Sequence, residues 1–117
     1  LLCFTPGLTE VTCLCTAQTI EDATSNPGSV GRLYPCLQAK VVNEDFQPAK
    51  IGEPGELCIK GATVMKQSIK SLSGVIKPFI FLCRGYWRNE EATKASFTPD
   101  GWYRSGDIAH IDRNGHV

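Results

Sequence analysis

The amino-acid sequence predicts a mainly β fold with short helices. Three observations carry that reading: runs of alternating or β-branched residues are short, clusters of Gly, Pro, Asn and Asp separate them closely, and the clearest helix start opens a short segment. The architecture that suits such strands is a small distorted barrel or an antiparallel sheet. No internal repeat is visible.

Taken in order, Leu8 to Ala17 reads as a loop leading into a strand or a short helix. Cys13 and Cys15 alternate there as buried strand thiols would. The turn cluster Asn26-Pro27-Gly28-Ser29, followed by Gly31, predicts an irregular connection from Glu21 to Leu33. Ala39 to Asn43 is β-branched enough for a short strand. Ile51 to Gly55 is turn chemistry, because Pro fixes its own φ and Gly accepts positive φ.

A strand is predicted from Glu56 to Lys60, with Leu57 and Ile59 on one face and Glu56, Cys58 and Lys60 on the other, ending at Gly61. Asn89 is a helix N-cap for Glu90 to Ala95, whose acidic first turn complements the helix dipole. Asp100-Gly101 makes a turn. Trp102 to Ser105 and Ile108 to Asp112 then read as two separate strands, and Asp112 to Gly115 as a tight turn returning through His116 and Val117. Trp87 and Trp102 read as core or barrel-edge aromatics, and Gly55, Gly61 and Gly106 as backbone devices for turns and close approach, not phosphate cradles.

Composition bounds the class and little more. The 117 residues suit one modest core, with 42% hydrophobic and 21% charged residues. Lys plus Arg balances Asp plus Glu at 12 each, so no net field draws the chain to nucleic acid or to an anionic surface. No run reaches the ~20 apolar residues of a membrane span. The N-terminus shows no secretory pattern, and the six cysteines lack a C-x-x-C pair, so a disulfide framework or a zinc site with His110 and His116 is disfavoured and a reducing compartment is expected.

Leu8-Thr9-Glu10, Gly55-Glu56-Leu57-Cys58-Ile59-Lys60-Gly61, Gly85-Tyr86-Trp87 and Tyr103-Arg104-Ser105-Gly106-Asp107 occur in that order. Between them stand Gly28-Ser29-Val30-Gly31-Arg32, Glu90-Glu91-Ala92-Thr93 and Phe97-Thr98-Pro99-Asp100-Gly101-Trp102. Together these resemble the adenylate-forming (AMP-binding) superfamily of acyl-CoA ligases, luciferases and peptide-synthetase adenylation domains. Gly85-Tyr86-Trp87 and the Glu-Ala-Thr helix look most like the 4-coumarate:CoA ligase and fatty acyl-CoA ligase branch.

The resemblance implies that residues 1–117 are a partial adenylation domain: the distal part of the large N-terminal domain, with its small distorted β-barrel region. The Gly-rich phosphate loop is expected upstream, and the hinge and the C-terminal lysine domain beyond Val117, so the fragment alone is expected to be inactive. The implied reaction joins a small carboxylic acid to AMP from ATP, with Mg²⁺, and passes the acyl group to CoA as co-substrate. The implied compartment is intracellular, cytoplasmic or peroxisomal.

The resemblance also assigns residues. Asp107 would accept from both ribose hydroxyls, as an acceptor-only carboxylate can; on its dipeptide alone it reads as a turn aspartate beside Gly106. Glu10 would be a ligand to Mg²⁺, a hard cation, and Thr9 would donate to the α-phosphate, though without the family context the pair is an ordinary surface dipeptide. Gly7 belongs to the same nucleotide-binding segment, with Pro6 standing where the family carries an aromatic residue against adenine. Residues Gln67 to Arg84 interrupt the family pattern as an atypical insertion, read as translated non-coding sequence or a lineage insertion. The alternatives are a non-catalytic interaction or regulatory remnant, a peptide-synthetase-type adenylation domain, or a zinc-binding module.

Overall fold

The structure, a computed structural model, describes residues 7–65 and 85–117. Residues Leu1 to Pro6 and the expected insertion Gln67 to Arg84 lie outside the described residues.

The segment Leu8 to Ala17 resolves its open alternatives by containing both kinds of structure. Strand β1 (Gly7–Leu8) leads into a single 3-10 turn, Thr9–Val11, and pairs antiparallel with β2 (Cys13–Leu14). Thr12 closes the turn in the left-handed region at φ 63°, donating its N–H to the Thr9 carbonyl. Strand β3 (Thr16–Ala17) then pairs with β4 (Arg32–Leu33).

The connection expected to be irregular holds a helix, α1 (Ile20–Ser25). The sequence reading missed it because α1 has no buried residue and hence no apolar stripe. Its start is set by capping instead: Thr19 Oγ1 accepts from the Asp22 N–H at 3.0 Å, and the Asp22 carboxylate reaches back to the Thr19 N–H.

The main sheet is antiparallel, in the order β5 (Leu37–Val42), β6 (Gly55–Gly61), β7 (Tyr103–Ala109). The strands expected at Ala39 to Asn43 and Glu56 to Lys60 are β5 and β6. Register explains the face pattern: Val41 lies opposite Leu57, and Ala39, Ile59 and Tyr103 form one row across all three strands. That face packs with Val11, Cys15, Leu37, Val64 and Met65 into the core, where Ile59 is fully buried. Truncating such a residue to Ala costs about 2–5 kcal/mol. The opposite face carries the row Lys40, Cys58 and Arg104. Lys40 and Lys60 there stand 4.9 and 5.5 Å from the Trp102 ring centroid. Close approach excludes a side chain at Gly61, where a Cβ would meet the Cys36 carbonyl oxygen at 2.6 Å.

Helix α2 (Glu90–Ala95) starts at Asn89, whose side chain accepts from the Ala92 N–H at 2.9 Å. Beyond it two expectations are corrected. The two strands expected at Trp102 to Ser105 and Ile108 to Asp112 are one strand, β7, because Ser105 to Asp107 bulges out while pairing to β6 resumes on both sides. Trp87 is not a core or edge aromatic. It is 85% exposed, with the Arg88 guanidinium 5.3 Å from its centroid. The turn at Asp112 to Gly115 forms as expected, closed by the Gly115 N–H on the Asp112 carbonyl, and Gly115 has φ 80°.

Candidate nucleotide site around a buried tyrosine

Three segments distant in sequence converge on the phenol of Tyr103. The first is the 3-10 turn at Thr9–Val11. It is pinned from below by the fully buried Val11 and from the side by the loop after β6. Thr12 Oγ1 donates to the Thr63 carbonyl at 2.7 Å, and the Met65 N–H donates to the Glu10 carbonyl at 2.7 Å. Backbone anchoring of this kind holds Glu10 at a fixed place while its side chain stays half-buried.

The second segment is Gly85-Tyr86, held against α2. Gly85 sits at φ 91°, where an added Cβ would strike Thr93. The Tyr86 N–H donates to Thr93 Oγ1 at 2.9 Å, and that hydroxyl donates to the Asn89 carbonyl at 2.8 Å. Tyr86 Oη in turn donates to Glu10 Oε1 at 2.9 Å.

The third is the bulge of β7. Gly106 at φ 78° turns the chain so that Asp107 stands exposed, its N–H donating to Ser105 Oγ at 3.0 Å. Tyr103, four residues earlier on the core face, is 4% exposed and packs edge-on against Phe97. Burial pushes its phenol well above the ordinary tyrosine range, and the negative charges of Glu10 and Asp107 push the same way. Asp107 also adds to the effect of burial in raising the Cys15 thiol.

Of the residues singled out from sequence, Glu10 and Asp107 are thus brought to one neighbourhood, with Thr9 exposed in the same turn as Glu10 and Gly7 exposed in β1, paired with Leu14. Among the described residues no three His, Cys, Asp or Glu side chains gather as a metal cage. Glu10 offers one hard oxygen donor. That fits Mg²⁺, which protein sites hold through one or two carboxylates while waters and substrate phosphates fill the rest of its shell. A cleft of about 670 Å³ opens beside the bulge, lined by Val42, Phe46, Glu56, Arg104, Gly106 and Ile108, with Arg104 paired to Glu56 at 2.9 Å in its wall.

The sequence reading assigned no role to Tyr86, Tyr103 or Thr93, although all three lie within motifs it quoted. It also missed a second cluster. His116 is buried, with Nε2 3.0 Å from Asp22 Oδ1 and Nδ1 3.2 Å from Asp112 Oδ2, while Arg32 Nε lies 3.1 Å from Nε2. The spacings Thr19-x-x-Asp22 and Asp112-x-x-x-His116 were its only local signal.

The sequence pattern of the AMP-binding enzyme family matches residues 5–67. Among curated relatives, 4-coumarate–CoA ligase-like 4 of Oryza sativa subsp. japonica is 34% identical over 95% of the chain, and luciferin 4-monooxygenase of Photuris pensylvanica is 40% identical over 94%. The chain spans only 17% of the length of each. Among solved structures, o-succinylbenzoate CoA synthetase of Bacillus subtilis, in complex with the acyl-adenylate intermediate OSB-AMP, superposes with a TM-score of 0.73 at 26% identity, covering 97% of this chain and 24% of that one.

Proposed function

The chain belongs to the family of AMP-binding enzymes, and from that premise we propose that it forms the nucleotide-facing part of an ATP-dependent acid–thiol ligase, an acyl-CoA synthetase. The observation that carries the reading is that Glu10, held by Tyr86 at 2.9 Å, and Asp107 both lie near enough to Tyr103 for their charge to push its phenol up. It brings together two carboxylates from opposite ends of the chain, both within motifs that resemble those of adenylate-forming enzymes.

On this reading Asp107 receives the two ribose hydroxyls of ATP. An ionised carboxylate donates nothing and has lone pairs for both, and the positive-φ Gly106 presents it to solvent. Glu10 supplies one oxygen to Mg²⁺. When bound, the ion would neutralise charge on the phosphates as the substrate carboxylate attacks the α-phosphorus and pyrophosphate leaves. Thr9, one residue before Glu10 in the same turn, donates to the α-phosphate. The CoA thiol then attacks the acyl carbon, and AMP departs.

The resemblance assigns the Gly-rich phosphate loop and the catalytic lysine to sequence outside residues 1–117, so the proposal assigns turnover to the full protein. The setting proposed for the full protein is intracellular and reducing, cytoplasmic or peroxisomal, where thiols such as the buried Cys58 persist. The test is ATP–pyrophosphate exchange by the full protein across a panel of aliphatic and aryl carboxylic acids. Exchange that requires both an acid and Mg²⁺ supports the ligase; none with any acid favours a non-catalytic remnant.

A further inference from the structure

We infer that Tyr86 is a positioning residue for Glu10, its hydroxyl fixing one carboxylate oxygen so that the other is presented to the cation. The inference rests on the proposed role of Glu10 as a Mg²⁺ ligand. The direction of the hydrogen bond follows from donor chemistry. A carboxylate only accepts, so Tyr86 Oη–H donates to Glu10 Oε1 across the observed 2.9 Å. The buried Tyr103 lies beside this pair, its phenol raised by burial and by the charge of Glu10.

Tyr86 is itself fixed at the backbone, because its N–H is held by Thr93 Oγ1 and Thr93 is 5% exposed. Glu10 needs such a fixture. Its backbone is anchored through its carbonyl to Met65, but the half-buried side chain has three rotatable bonds, and free rotation would oppose metal capture. Groups that orient a metal ligand through its unused oxygen raise metal affinity without touching the metal.

The experiment compares Tyr86→Phe, Glu10→Gln and the double variant in the full protein. Binding of ATP is measured by calorimetry across a Mg²⁺ series, and exchange activity is followed in parallel. Tyr86→Phe keeps the ring and loses only the hydroxyl. The expected result is a rise of about tenfold in the Mg²⁺ concentration for half-maximal ATP binding, with the exchange rate at saturating Mg²⁺ retained. The double variant should then behave as Glu10→Gln alone. A structural role for Tyr86 would lower the melting temperature and the saturated rate and leave the Mg²⁺ dependence where it was, which overturns the inference. If Glu10→Gln shifts the Mg²⁺ requirement and Tyr86→Phe does not, the positioning role alone falls. If neither shifts it, the metal role of Glu10 falls, and the inference with it.

Discussion

The Asp22 carboxylate meets the His116 imidazole across 94 positions of sequence, Oδ1 lying 3.0 Å from Nε2. The contact ties the first turn of α1 to the hairpin at Asp112–His116, and Arg32 on β4 joins both. Since Nε2 can donate to Asp22 or accept from Arg32 but not both, the proton on that nitrogen selects the partner.

His116→Phe keeps a planar ring, somewhat larger than imidazole, and removes every hydrogen bond the imidazole makes. The expected loss is about 1–3 kcal/mol of unfolding free energy, measured by urea denaturation. A loss below about 0.5 kcal/mol, the scale of an ordinary surface substitution, would show that this buried cluster does not hold the hairpin to α1.

Acid should weaken the fold through three aspartates. Asp22 is held below the ordinary carboxylate range first by the Thr19 side chain and then by His116, and Asp112 first by the His116 backbone N–H. Asp100 is lowered to about 2, chiefly by Lys40 at 2.7 Å. A carboxylate with a depressed folded pKa binds its proton more weakly than in the unfolded chain. Its stabilisation is therefore complete above the unfolded value of about 4 and is lost as pH falls through the folded value. The urea midpoint should fall between pH 5 and pH 2, and less steeply in Asp100→Asn. A midpoint constant over that range would contradict the depressed values.

Gly106→Ala isolates the bulge. No atom lies within 4 Å of the added Cβ, so the cost is conformational, about 1–2 kcal/mol for an L residue held at φ 78°. Because Gly106 aims Asp107, the affinity for ATP should fall more than stability does. Equal binding by the variant would show that the bulge does not position Asp107.

These elements differ in how far sequence revealed them. Strand β6 was legible because Leu57 and Ile59 alternate between Gly-bounded turns, and α2 because Asn89 caps an acidic first turn, both local signals. Helix α1 was not, since Ile20 is 73% exposed and only the capping box marks it. Strand β7 was split in two because Gly106 reads as a break, whereas β6 keeps pairing on both sides of it. Glu10 and Asp107 were found through motif resemblance. Their meeting at Tyr103, and the part of Tyr86 in it, depends on tertiary packing that no local pattern encodes.

The central claim is that Asp107 receives the ribose of ATP, and the most direct measurement compares ATP with 2′,3′-dideoxy-ATP in the exchange reaction, for the full protein and for its Asp107→Ala variant. Each charge-assisted hydrogen bond is worth roughly 1.5–3 kcal/mol, so the unaltered protein should prefer ATP by more than about a hundredfold in kcat/KM. The variant should use both nucleotides equally poorly. A variant that keeps the preference, or exchanges at the unaltered rate, would contradict the assignment.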